Sequence, residues 1–498
     1  MPILGRAAED PHRAGTPVAL RREAVVAPST QQEEARMTEP LSLAIFQYLS
    51  PNGATGGSWR HPDNRQVDYL DLDHWIRLAK QFEEAGFDFL FFADSYGYPV
   101  LNDAVIPKAI EDAINMPQGD PVVLVSALAA ATERLGFVIT SSTTVEKPQA
   151  LTRRLTTLDH LTKGRLGWNI VTGSAQASSA RLFGEPMVPH DERYAVADDH
   201  VQLSLKLWEG TWDDGALKVD RAAGVYADPA LVHEIHHEGP YFKADGLLSV
   251  PPSPQRTPLL LQAGTSGPGR DFAARYAEAV FLAGGDPVHV AANIADIRRR
   301  AEGYGRGPDA IRFLIGATFI VGRTNDEAAG KREEQLSLTS FENAATAYAY
   351  FTGIDLLSMD LDQPLGGVGT EQGQSSVQRY QGENGAPRPT VREIIEDYRH
   401  NGVNGTVFVG DPEGVADQVE ELIAVTKADG FLVQPYLAPT TYDDFIDLLM
   451  PVLRARGLLK PGYAGETLRE HLFGVGNRWL PAEHPGASFR AAALAPAE

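Results

Sequence analysis

Short runs of β-branched and aromatic residues alternate with longer amphipathic runs along most of this 498-residue chain. This alternation is typical of strand–helix units arranged around a parallel sheet. About eight such units can be counted between residues 43 and 456. Two architectures accommodate eight units, a closed (β/α)8 barrel and an open doubly wound sheet, and the alternation alone does not separate them.

The positions of polar residues separate the two architectures. Strands are predicted at 43–48, 87–94, 135–142, 165–172, 258–264, 279–284, 311–321 and 429–435. Helices are predicted at 71–85, 121–132, 147–161, 193–209, 269–278, 287–304, 412–426 and 440–456. Polar residues such as Asp94, Thr140 and Asn169 fall at the carboxyl ends of predicted strands, where barrels gather their active-site groups. The sequence therefore predicts an α/β protein with a (β/α)8 TIM barrel.

The predicted barrel covers residues 39–456, with insertion segments at about 210–258 and 355–390 and a C-terminal tail at 457–498. Residues 1–38 lack the apolar stretch of a signal peptide and are expected to be a disordered extension. Met37 could be the true start of translation, and the sequence leaves this open. The 355–390 segment is rich in Gly, Gln and Pro, which is typical of a lid or a mobile loop.

Composition excludes several classes of protein. A formal net charge of −22 argues against nucleic-acid binding, which depends on Lys and Arg neutralising phosphates. No window approaches the 18 or so apolar residues of a membrane span. The absence of Cys excludes disulfides and thiolate chemistry, and we expect a cytoplasmic protein. The histidine-rich stretch at 233–239 lies in an insertion without a matching set of carboxylates, so no metal site is expected.

The segment QAGTSGPGRDF at 262–272 joins a predicted strand to a helix through a glycine-rich turn. Such a turn can direct backbone N–H groups and the hydroxyls of Thr265 and Ser266 at a phosphate monoester. The other interpretation is an ordinary strand-to-helix turn, with Thr265 or Ser266 as the N-cap. Spacing alone does not decide between the two.

Further candidate residues have a structural interpretation beside the functional one. Thr140 in VITSSTT and Asn169 in WNIVT could bond the edge of a planar ring or merely satisfy neighbouring backbone. His190 and Tyr194 in HDERY are spaced to share one helix face, as ligand-binding or as packing residues. Asp94 could be a general base, a ligand anchor or a helix cap, and we favour the anchor or the cap.

Five motifs together resemble the bacterial-luciferase-like superfamily, and most of all its nitrilotriacetate, EDTA and dibenzothiophene-sulfone monooxygenases. They are FLFFADSYG, TTLDHLTKGRLGWNIVTG, HDERYAVADD, LLLQAGTSGPG and GLLKPGYAGETLREHLFG, in order between about residues 41 and 474. The resemblance implies a (β/α)8 barrel, reduced FMN supplied by a separate NAD(P)H:flavin reductase, and O2 as co-substrate. It places the flavin near Asp94, Thr140 and Asn169, and its phosphate side near His190, Tyr194, Thr265 and Ser266.

The resemblance does not identify the substrate, because fold and cofactor do not determine it. A small organic molecule is expected, and the few Lys and Arg near the predicted strand ends argue against a polyanion such as EDTA. No catalytic side chain is assigned, since the cofactor supplies the oxygen chemistry. Alternatives are a deazaflavin-dependent oxidoreductase of the same superfamily and a non-catalytic flavin-binding barrel. A homo-oligomer, dimer or tetramer, is expected.

Overall fold

Eight parallel strands close into a barrel in the computed structural model of this chain, as predicted. The structure describes residues 39–52, 56–173, 175–366, 369–380, 388–403 and 405–490, so the predicted extension at 1–38 lies outside it. The barrel strands are β1 (Ser42–Tyr48), β2 (Phe89–Ala93), β3 (Gly136–Ser142), β4 (Leu166–Val171), β5 (Leu259–Gln262), β6 (Ala279–Ala283), β7 (Arg312–Val321) and β9 (Gly430–Gln434). Each lies within two residues of its predicted ends.

The ring closes because β9 pairs with both β1 and β7. A strand that the sequence did not predict, β8 (Val407–Gly410), pairs in parallel with Thr318–Val321 at the end of β7. It has four residues and follows a glycine- and asparagine-rich stretch at 401–405, which is typical of a turn.

Helices surround the barrel between successive strands. They are α1 (Leu72–Ala85), α2 (Pro121–Ala131), α3 (Pro148–Leu161), α4 (His190–Gly210), α5 (Gly267–Tyr276), α6 (Pro287–Gly303), α7 (Asn325–Leu338), α8 (Phe341–Thr352), α9 (Val391–Asn401), α10 (Pro412–Thr426), α11 (Thr440–Asp444, continued by Phe445–Leu449 and Met450–Ala455) and α12 (Leu468–Phe473). Shorter helices are Pro107–Glu111, Gln176–Phe183 and Gln374–Gln378. α1 is representative, because Asp71 caps its first turn, a left-handed Gly86 ends it, and its apolar face is buried.

The amino end of the barrel is closed by part of the predicted tail. Leu468 and Leu472 of α12 pack with the inward-facing apolar residues of the strands. Arg469, fully buried, forms an ion pair with Glu278 at 2.6 Å. The opposite, carboxyl end of the barrel is left for ligands.

The insertion after α4 forms two hairpins, Leu217–Asp220 with Val225–Ala227 and Ile235–Glu238 with Lys243–Gly246. Its histidines contact three different carboxylates, and the pair of His237 with Asp199 at 2.9 Å is buried. Within the described ranges, no group of three or more His, Asp or Glu is arranged to hold a metal ion. In the same part of the chain, no helix has the length and apolar character that crossing a bilayer requires.

Candidate functional site

A cavity at the carboxyl end of the barrel contains about 1380 Å³ of empty space, its open mouth included. All seven residues proposed from the sequence line it. They are Asp94, Thr140, Asn169, His190, Tyr194, Thr265 and Ser266. Asp94 follows β2, and Thr140 and Asn169 belong to β3 and β4. The other four residues lie in the first turns of α4 or just before α5. The fold thus brings into one place residues that are up to 172 positions apart.

Asn169 and Thr140 form a fixed hydrogen-bond chain on the cavity wall. Thr140 Oγ1 donates to the Phe92 carbonyl at 2.8 Å and accepts from Asn169 Nδ2 at 2.9 Å. Asn169 Oδ1 is buried and accepts no hydrogen bond from the described residues. A buried amide oxygen without a partner is costly, so a ligand that donates a hydrogen bond here would be stabilised.

The glycine-rich turn packs tightly against the Tyr194 hydroxyl. Ser266 caps α5 by accepting from Gly269 N–H at 3.2 Å, and it also bonds with the Tyr194 hydroxyl. A Cβ on Gly264 would lie 2.3 Å from that hydroxyl, and one on Gly269 would lie 2.6 Å from it. Burial raises the pKa of Tyr194, while bonds from Ser266 and Gln262 oppose the rise. Tyr194 therefore stays a neutral hydroxyl that can donate.

The amino ends of α4 and α5 border the same side of the cavity. Unpaired backbone N–H groups and the helix dipole make such ends favourable for anions. His190 is the first residue of α4, and its N–H donates to the Glu371 carboxylate at 2.9 Å. Arg193, one helical turn on, is buried, and its Nη2 has no partner among the described residues. This side of the cavity can therefore bind an anionic group.

An aromatic floor lies beneath the other side of the cavity. The rings of Phe46 and Phe91 are nearly parallel, with centroids 5.4 Å apart. Phe281 lies 5.5 Å from Phe46 and 6.0 Å from Phe91. All three are cavity residues, so a planar ring would meet an apolar surface here.

Asp94 has an unusual electrostatic environment. Burial, together with the charges of Asp120 and Glu146, raises its pKa to about 7. The Ser95 N–H, which donates to Asp94 Oδ1 at 2.8 Å, opposes this rise. Asp94 caps no helix, so the structure does not support that interpretation. At neutral pH the Asp94 carboxyl is therefore partly protonated, and its protonated form can donate a hydrogen bond.

Sequence reasoning missed several cavity residues. Arg193 stands beside Tyr194 in the HDERY motif, and its position three residues after His190 could have identified it. Gln262, whose buried Oε1 lacks a partner among the described residues, is the last residue of β5. Tyr350, Phe351, Gly373, Gln374 and Ser376 also line the cavity, and the last three belong to the segment interpreted as a lid.

Comparisons with known proteins agree with this geometry. A family model described as luciferase-like monooxygenase matches residues 49–430. The long-chain alkane monooxygenase of Geobacillus thermodenitrificans is 39% identical over 455 residues, which cover 91% of this chain and 99% of the relative. The dimethyl-sulfide monooxygenase of Hyphomicrobium sulfonivorans is 37% identical, over 91% of this chain and 94% of its own length.

A solved structure of a riboflavin lyase with modified FMN and its substrate riboflavin is also similar. It has a TM-score of 0.87 and 40% sequence identity, and the match covers 91% of this chain and 100% of that one. The nitrilotriacetate and dibenzothiophene-sulfone monooxygenases named from the sequence motifs are 34% and 33% identical. The resemblance and the predicted barrel are both confirmed.

Proposed function

This chain belongs to the luciferase-like monooxygenase family, and we propose that it is the oxygenase component of a two-component, FMN-dependent monooxygenase. It takes reduced FMN from a separate NAD(P)H:flavin reductase and uses O2 to oxygenate a small organic molecule. The observation that most supports this is that one cavity combines an anion-binding side with a side of aromatic rings and unpaired amides. The relative named nitrilotriacetate monooxygenase component A supports a second component.

The anion-binding side fits the phosphate of FMN. Its donors are the hydroxyls of Tyr194 and Ser266 and the buried guanidinium of Arg193. The amino ends of α4 and α5, at His190 and Gly267, add the positive ends of two helix dipoles, which favour a bound anion. Leaving Arg193 Nη2 without a partner costs free energy, and a phosphate oxygen would remove that cost.

The other side fits the isoalloxazine. The polar edge of that ring presents N–H groups, for which Asn169 Oδ1 and Gln262 Oε1 are available acceptors. The apolar faces of the ring match the floor of Phe46, Phe91 and Phe281. When bound, reduced FMN supplies the reaction with O2, and the protein supplies binding, orientation and electrostatics.

The chain's own residues then have two tasks. The aromatic floor and the described residues of the 355–390 segment, of which Gly373, Gln374 and Ser376 line the cavity, keep water from it, and we propose these residues as part of a lid. Asp94, with its raised pKa, can hold a proton on its carboxyl at the cavity wall. No protein nucleophile is needed for these tasks, and a homo-oligomer and a cytoplasmic location stay predictions.

The two alternatives differ from this proposal in their products. A deazaflavin-dependent oxidoreductase is not favoured, because relatives at 39% and 37% identity are named monooxygenases. A non-catalytic flavin-binding barrel would bind FMN without consuming O2.

Mass spectrometry with a flavin reductase, FMN, 18O2 and a panel of substrates tests the proposal. We expect one labelled oxygen in a product, and flavin binding without labelled product from any substrate would favour the binding barrel.

The phosphate assignment has its own test. The Ser266→Ala, Tyr194→Phe double variant should bind reduced FMN about 1–3 kcal/mol more weakly, because two donors to a buried anion are lost. Riboflavin, which lacks the phosphate, should lose much less affinity in the same variant. Equal losses for FMN and riboflavin would contradict the assignment of the phosphate to this side.

A further inference from the structure

An acid stands at the anion-binding side of the cavity. Glu371 Oε2 accepts the backbone N–H of His190, the first residue of α4, at 2.9 Å. Burial lowers the pKa of the Arg193 guanidinium, one turn further along α4, and the negative charge of Glu371 opposes that change. The carboxylate and the guanidinium therefore lie within interaction range of each other. Glu371 thus neighbours two of the groups that we assign to the phosphate of FMN.

The turn that carries Glu371 is held against the end of α8. On one side, Thr370 Oγ1 donates to the Thr352 carbonyl at 2.5 Å. On the other, Gly373 has a φ of +54°, and a Cβ there would lie 2.4 Å from the Phe351 carbonyl oxygen. Glycine is needed for this close approach of two backbones. Together with the bond to the His190 N–H, these contacts determine where the carboxylate lies.

A carboxylate beside an anion site distinguishes anions by whether they carry a proton. An ionised carboxylate only accepts hydrogen bonds, at about four positions on its two oxygens. The His190 N–H occupies one of these positions on Glu371. A fully ionised anion is repelled by the carboxylate charge, whereas an anion with an O–H group can donate to it. A phosphate monoester, with a second pKa of about 6, can bring that proton. A sulfate ester is fully ionised and cannot.

The other groups on this side do not make the distinction. Its donors can bond any oxyanion, and they are the side chains of Arg193, Tyr194 and Ser266. Glu192 is the next acid along α4 whose side chain is described, and it bonds with Tyr241. Residues two apart on a helix do not share a face, so Glu192 lies on a different side of α4 from His190. The choice between phosphate and sulfate therefore depends on Glu371.

We propose that Glu371 is a specificity-determining residue that selects a phosphate monoester in its singly protonated form. The ester donates its O–H to the Glu371 carboxylate and accepts hydrogen bonds from the donors on the same side of the cavity. A sulfate ester brings no proton and meets the carboxylate charge directly. The same holds for a flavin whose phosphate is esterified a second time, as in FAD. This inference rests on the proposed function, since it takes the ligand of this side to be the phosphate of FMN.

The test compares oxidised FMN with riboflavin 5′-sulfate, which has nearly the same shape, by fluorescence titration of the full chain at about pH 6, where the phosphate is partly protonated. Riboflavin, which has no anionic group, is the reference for both. We expect the wild type to bind FMN at least about 10-fold more tightly than the sulfate ester, since hydrogen bonds to charged groups are strong. In Glu371→Gln the two affinities should agree within about twofold, because Gln keeps an oxygen acceptor for FMN and adds an N–H donor for the sulfate.

Glu192→Gln is the matched control, because it removes the same charge from the first turn of α4 on a different face of the helix. It should leave the ratio of the two affinities as in the wild type, and a ratio that falls as in Glu371→Gln would refute a specific role of Glu371. Failure of the wild type to bind FMN, or to bind it more tightly than riboflavin, would instead refute the proposed function or its phosphate assignment. If FMN binds more tightly than riboflavin, equal affinity for the sulfate ester would contradict the selection by Glu371, and this comparison needs no variant to fold.

Discussion

Replacing Gly264 by Ala tests the proposed phosphate side with a single methyl group. The added Cβ would lie 2.3 Å from the Tyr194 hydroxyl and 2.4 Å from Gln262 Nε2. Side-chain carbons essentially never approach other atoms within 3.0 Å, so the hydroxyl must move by at least 0.7 Å. Binding groups generally have to be held within about 0.5 Å of their working position, so this displacement is large enough to matter.

The expected loss follows from the displaced hydrogen bond. A bond from a hydroxyl to a charged group contributes about 1.5–3 kcal/mol, which corresponds to a roughly 10- to 150-fold rise in the Kd of FMN. Gly264 does not have a positive φ, so backbone strain adds little. The effect should therefore appear in FMN affinity more than in the stability of the fold.

Gly330→Ala, in α7 and away from the cavity lining, is the matched control, because a Cβ at that position meets nothing within 4 Å. Flavin fluorescence titration gives the Kd for each variant, and thermal unfolding without ligand shows that both remain folded. We expect Gly330→Ala to bind FMN like the wild type and Gly264→Ala to bind it more weakly. In a Tyr194→Phe background the Gly264→Ala loss should shrink, since the displaced hydroxyl is gone. Equal FMN affinity in the two alanine variants would refute the phosphate assignment.

Three further predictions concern other parts of the molecule. Burial raises the pKa of Asp94 from 3.8 to about 7, so the folded state loses stability as pH rises through that interval. Below about pH 4, Asp94→Asn should therefore unfold with nearly the same free energy as the wild type. Toward pH 7 the variant should become increasingly more stable than the wild type. A difference that does not change with pH in denaturant titrations would contradict this. Glu371→Gln removes a negative charge from the N–H of His190, so inorganic phosphate should bind about 0.5–1 kcal/mol more tightly by calorimetry, and weaker binding would refute the anion site. Arg469→Met leaves Glu278 buried without its partner and should cost about 3–5 kcal/mol in denaturant unfolding, whereas a cost below 1 kcal/mol would mean that the pair contributes little.

The sequence predicted the barrel because most strands contain an uninterrupted apolar run bounded by turn residues. FLFFA of β2 is an example, since alternative interpretations of such a run are few. β8 was missed because its short VFVG run follows the glycine- and asparagine-rich stretch 401–405, whose composition is typical of a turn. The packing of α12 into the amino end of the barrel was also not predicted, because it depends on Leu468 and Leu472 meeting strands that are far away in the chain.

Within the first cavity, the sequence predicted residues that stand in contiguous motifs at strand ends. His190 and Tyr194 share one motif, and Thr265 and Ser266 share another, so local spacing alone brings each pair together. Phe46 and Phe281 were missed because each occupies an ordinary strand position, and only closure of the ring makes them neighbours. The role of Glu371 depends on a long connection whose path no periodic pattern determines.

This difference between local motifs and residues assembled from distant parts of the chain predicts which substitutions affect FMN binding. The proposed phosphate-binding residues lie in local motifs, whereas a second cavity, of about 800 Å³ with its opening included, draws Gln66, Thr318 and Gln434 from separate parts of the chain. Sites more than about 7–10 Å apart without shared partners usually contribute additively. Substitution of Gln66, which lines the second cavity and not the first, should therefore have little effect on FMN affinity. Changes at Phe46, Tyr48 or Val403, which line both cavities, should affect both.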